Sequence, residues 1–107
     1  MTMAWTLLLL AGLLEIVWAT ALKRTDGFSQ LAPSVVVLLA ATASFILLAA
    51  ALRTLPVGTA YAVWVGIGAV GVTLAGILLF DEAPSPPRLA FIGLIVIGVA
   101  GLRLSET

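Results

Sequence analysis

Four apolar runs, each close to the thickness of a bilayer's hydrocarbon core, narrowly limit what this chain can fold into. They cover residues 3–22, 31–52, 57–80 and 89–102. Polar breaks separate them: Lys23-Arg24-Thr25-Asp26-Gly27, then Arg53-Thr54-Leu55-Pro56, then Asp81-Glu82-Ala83-Pro84-Ser85-Pro86-Pro87-Arg88. An α-helix needs about 20 apolar residues to cross roughly 30 Å of hydrocarbon. The fourth run is short, and its helix is placed from Pro86 because proline is tolerated in a first helical turn. Strands are excluded, since the runs do not alternate apolar with polar residues and an open sheet edge leaves peptide groups unpaired in lipid. The expected fold is an all-α membrane protein, one domain over 1–107, with transmembrane helices at about 3–22, 31–52, 57–80 and 86–103.

Composition narrows the function. Charged residues make up 9% of the chain, against about 25% in a soluble domain, which is too few to cover a water-facing surface. The absence of cysteine and histidine removes disulfides, thiolate chemistry, Cys/His zinc sites and the usual general base. Neither a metal nor another cofactor is expected, and an enzyme is the least favoured class. Five Lys+Arg balance five Asp+Glu, so no basic patch points to nucleic acid. The first run carries an acid and ends in Lys23-Arg24 without a small-residue cleavage pattern, so it reads as a span rather than a cleaved signal.

That acid is Glu15, the single charge inside the first run. A charge at the centre of a membrane helix costs about 2.5–3.5 kcal/mol on insertion scales, and such groups commonly mark ion, proton or substrate pathways. The plain alternative is an acid paired to a neighbouring helix for assembly. Trp18 follows three residues later on the same face. Ala11, Gly12 and Ala19 surround the acid with small side chains, which admit another backbone or a ligand. Trp18 also reads as an interfacial anchor, and Trp5 more plainly so.

Elsewhere in the spans polar side chains are sparse. Thr42 and Ser44 lie in the second run, and Ser44 alone reads as a serine bonded to its own helix carbonyl four residues back. The third run carries Tyr61 and Trp64, again three apart, offering a phenol and an indole to a carboxylate or a cation; ordinary aromatic packing is the alternative. Gly66, Gly68 and Gly71 lower stiffness near midspan or allow close packing. The fourth run has glycines but no polar group, which suits a helix–helix seam.

There is no internal repeat, whereas many transporters build their site from two inverted halves; a four-helix chain needs a second copy to do so. Arg53 and Arg103 fall on one side of the membrane, and Lys23, Arg24 and Arg88 on the other. Two against three gives almost no orientation preference, a pattern open to insertion both ways.

Specific motifs then point to a family. Gly12-Leu13-Leu14-Glu15-Ile16-Val17-Trp18-Ala19-Thr20-Ala21-Leu22-Lys23, followed by Gly27-Phe28 and Pro33-Ser34, resembles the first half of the small multidrug resistance family. Pro56-Val57-Gly58-Thr59-Ala60-Tyr61-Ala62-Val63-Trp64-Val65-Gly66-Ile67-Gly68-Ala69 resembles its third-helix signature. Trp18, and Gly66-Ile67-Gly68-Ala69, resemble the family's guanidinium-exporter branch; the branch that carries polyaromatic cations typically has glycine at the position of Trp18. The resemblance implies a proton-coupled antiporter working as an antiparallel, dual-topology homodimer in the inner membrane of a prokaryote. It implies that Glu15 binds proton or guanidinium, and that Trp18, Ser44, Tyr61 and Trp64 position the carboxylate and line the site. Gly93, Leu94, Ile97 and Gly98 match the family's fourth-helix dimerisation motif less tightly. The runner-up readings are export of quaternary ammonium or aromatic cations, and a non-transporting membrane assembly subunit.

Overall fold

The computed structural model describes residues 2–105, which form four helices: α1 (Thr2–Arg24), α2 (Leu31–Ala51), α3 (Val57–Leu79) and α4 (Pro86–Ser105). The outermost ends of the domain expected over 1–107 lie outside the described residues. No strand occurs among those residues, and all four helices are long and apolar enough to cross a membrane. The boundaries follow the punctuation closely. α1 runs past the apolar stretch through Lys23 and Arg24, whose charges suit a helix C-terminus and whose stems can lie along apolar surface. α4 starts at Pro86, where a missing N–H costs nothing.

α1 is the central element. It packs along α2 and α3, which meet each other little, while α4 lies against α3. The buried core gathers at the end that carries the second loop: Trp5, Leu8 and Ala11 of α1, Leu48 and Ala51 of α2, and Ala60, Val63 and Trp64 of α3. Trp5, expected as an interfacial anchor, instead turns inward and is only 7% exposed. The small Ala51 and Ala60 share its cluster, and the Arg103 guanidinium covers its ring at 4.9 Å from the centroid. α4 contributes no buried residue.

The first and third loops close one end tightly. Thr25 is buried; its hydroxyl donates to the Leu22 carbonyl at 2.7 Å and accepts the Phe28 N–H at 3.1 Å. Its carbonyl accepts the N–H groups of Ser29 and Gln30 at 2.9 and 3.0 Å. Between these bonds Asp26, Gly27 and Phe28 all take left-handed backbone, with φ of 49°, 69° and 66°. Glycine does this freely, whereas Asp26 and Phe28 do it against a steric preference. In the third loop the Glu82 N–H donates to the Gly76 carbonyl at 3.1 Å. The Glu82 carboxylate lies over Gly76 and pairs with Arg88.

Candidate functional site

α1 and α3 run in the same sense, and three glycines set how closely they approach. A methyl group at Gly12 would stand 2.7 Å from Ile67 Cγ2. One at Gly68 would strike the Glu15 carboxylate, and one at Gly71 would strike the end of Ile16. The contacts climb both helices together, so the missing side chain at Gly68 is the recess that receives Glu15. A methyl group at Gly66 would point the other way and stand 2.6 Å from Val99 Cγ2 of α4. All three α3 glycines read from the sequence as flexible thus sit at close helix contacts. Glu15 is partly buried, and its Oε1 atom has no hydrogen-bond partner among the described residues.

Beside this carboxylate, α2 joins the other two helices through Ser44. The fully buried Ser44 hydroxyl donates to the Ala11 carbonyl of α1 at 2.7 Å and accepts the Trp64 indole N–H of α3 at 3.1 Å. The reading of Ser44 as bonded within its own helix is therefore corrected. Thr42 and Thr73 do follow that pattern, each donating to the carbonyl four residues back at 2.7 Å. Ser44 escapes it because Ala11 is small and fully buried, which brings the α1 backbone within reach.

Four aromatic rings continue across the same region. Trp18 and Phe45 have centroids 6.2 Å apart, Phe45 and Trp64 5.4 Å, and Trp64 and Tyr61 5.8 Å, all tilted. The structure thus groups Trp18, Ser44, Tyr61 and Trp64, and Glu15 lies one helical turn before Trp18 on α1. Phe45, which the sequence reading did not single out, bridges the two tryptophans. The Trp18 Nε1 atom is buried without a partner among the described residues, while Tyr61 is 57% exposed. Two cavities of about 370 and 380 Å³ lie elsewhere, and neither is lined by Glu15 or by these aromatics. Beyond their own helix backbone, Gly93 and Gly98 have no atom within 4 Å of an added methyl among the described residues, and Leu94 and Ile97 are exposed.

Chemically, this wall of the bundle combines an acceptor without a donor and a series of aromatic faces, the pairing that suits a compact organic cation. The sequence matches the Small Multidrug Resistance protein family over residues 3–95. The chain belongs to that family. Among its relatives within the family, a guanidinium exporter of Salmonella typhimurium and one of Citrobacter freundii are each 58% identical over 103 residues, covering 96% of this chain and 98% of theirs. A guanidinium exporter of Escherichia coli is 57% identical with the same coverage. The relatives are named as exporters rather than enzymes. With its four spans, this family member is a multi-pass inner-membrane protein of a prokaryote.

Proposed function

We propose that this protein exports guanidinium in exchange for protons, with both competing for the Glu15 carboxylate. The observation that carries the reading is 57–58% identity, over 96% of the chain, to proteins named guanidinium exporters. The site supports it chemically. Guanidinium is planar, permanently charged at neutral pH and bears a fork of N–H donors. A carboxylate accepts two of those donors in parallel, and the Glu15 Oε1 atom has no partner among the described residues. Trp18, Tyr61 and Trp64 supply aromatic faces, and Ser44 holds the Trp64 ring by its indole N–H. Exchange of sides restricted to the occupied site, by proton or by cation, makes the process antiport.

One chain supplies one wall, and the proposed working unit is an antiparallel homodimer. The near-even split of Lys and Arg between the two sides supports it, because neither orientation is favoured. The uncovered α4 surface around Gly93, Leu94, Ile97 and Gly98 supplies an apolar, small-residue seam for the second copy. Gly66, Gly68 and Gly71 are proposed to let α3 flex as access alternates, changing the depth at which Glu15 and Ile16 seat.

Purified protein in liposomes tests this reading. An imposed pH gradient should drive uptake of labelled guanidinium and leave a bulky aromatic cation largely behind. The reverse ranking assigns the protein to aromatic-cation export, and no movement of either cation leaves an assembly subunit.

A further inference from the structure

On the side of α1 turned away from Glu15 and Trp18 lies an apolar groove of about 380 Å³. Ile16, Thr20 and Arg24 follow one another along its floor, and Val36 of α2 and Ala75 and Leu79 of α3 form its walls. At 1.5 Å per residue, the floor runs about 12 Å from midspan to the end of α1. Val36 and Leu79 are both exposed, so the groove opens sideways towards hydrocarbon.

Two polar features mark it, and the transport mechanism uses neither. The first is a pair of cations at its outer end, Arg24 in its lining and Lys23 next to it in the chain. The Arg24 guanidinium carbon stands 5.1 Å from the Phe80 ring centroid, and Lys23 Nζ stands 4.9 Å from the same centroid. Neither forms an ion pair among the described residues, where the carboxylate at this end that is paired, Glu82, is held by Arg88. Two like charges drawn to one ring repel each other, and a shared anion relieves that repulsion. The second feature is Thr20, whose hydroxyl oxygen is buried without a hydrogen-bond partner among the described residues. Thr42 and Thr73 bond the carbonyl four residues back; Thr20 leaves that bond unmade and lines the groove.

Read from the membrane surface inward, the order is cations, a hydroxyl one helical turn or about 5.4 Å deeper, then apolar wall. A glycerophospholipid presents its parts in that order: phosphate, ester carbonyl, acyl chain. The geometry points to a binding site for an anionic phospholipid in this groove. Its phosphate sits between Arg24 and Lys23, the Thr20 hydroxyl turns from its sealed position to donate to an ester carbonyl, and an acyl chain lies along the groove to Ile16. A zwitterionic headgroup fits less well, because it brings its own cation to the two already there.

Native mass spectrometry of the purified protein tests this, with phosphatidylglycerol and phosphatidylcholine of identical acyl chains. The wild-type protein should retain phosphatidylglycerol in clear preference. Arg24→Gln should weaken that retention by about fivefold, the effect of one cation near an anionic lipid surface, and leave phosphatidylcholine unchanged. Ala75→Phe, which fills the groove without altering charge, should release both lipids. Arg53→Gln, at the opposite end of the bundle, should change neither. Equal retention of the two lipids by the wild type overturns the proposal, as does phosphatidylglycerol retention that survives both Arg24→Gln and Ala75→Phe. Displacement of the lipid by excess glycerol phosphate reveals an anion site alone and also overturns it. The two variants disturb different halves of the site, so poor folding of one leaves the other decisive.

Discussion

Glu15 and Trp18 stand one turn apart on α1, and each buries a polar atom without a partner among the described residues. A buried unsatisfied donor or acceptor costs about 1–3 kcal/mol, a cost that a ligand or a second chain can offset. On the proposed reading Trp18 narrows the site to small planar cations. Trp18→Gly removes an indole donor and its contact with Phe45, and opens volume beside the carboxylate. Guanidinium should then bind about thirtyfold more weakly, on the scale of a desolvated cation–π contact, while bulky aromatic cations gain entry. Competition between the two cations in transport assays checks this; an unchanged ranking makes Trp18 a packing residue against Phe45. At this scale the sequence exposes Glu15 because a carboxylate in hydrocarbon stands out against its surroundings. It does not expose the partners of Ser44, since only the fold brings the Ala11 carbonyl to its hydroxyl. Phe45 carried no signal at all, being one apolar side chain in an apolar helix.

The helices follow the sequence because prolines and charges mark their ends, but the packing of their glycines depends on which helices are neighbours. A glycine cluster in α3 reads equally as flexibility or contact until α1 is known to lie alongside in the same sense. Gly68→Ala then becomes a sharp test. Its methyl group would collide with the Glu15 carboxylate and push it from its recess. A misplacement of about 1 Å in such a site can cost on the order of 100-fold, so guanidinium exchange should fall steeply while the protein still inserts. Gly93→Ala, whose methyl meets no atom within 4 Å among the described residues beyond its own helix backbone, should leave the helical content unchanged. Circular dichroism and transport rates on both variants check the pair; normal exchange by Gly68→Ala contradicts the seating of Glu15 against α3. The first loop shows the same limit to sequence reading. Gly27 announces a turn, yet the left-handed backbone of Asp26 and Phe28 depends on the bonds made by buried Thr25.

For the whole molecule, an uncovered α4 and cations split two against three lead to the proposed antiparallel pair. The chain has no cysteine, so a Ser105→Cys variant reports orientation cleanly. An impermeant thiol reagent should label about half the chains in sealed, oriented vesicles, as balanced charge predicts. All-or-none labelling rules out dual topology and points to a parallel dimer or a separate, oppositely oriented partner. Two such copies would bring two Glu15 carboxylates to one cleft, where proton and guanidinium exclude each other. The most direct test of that competition is guanidinium movement against a pH gradient in liposomes, with wild-type and Glu15→Gln protein compared side by side. Glutamine keeps the shape of the side chain but neither carries a proton nor holds the charged pair. The account predicts pH-driven guanidinium exchange by the wild type and none by Glu15→Gln, with insertion and dimerisation unchanged. Persistent pH-driven guanidinium movement through Glu15→Gln would contradict it.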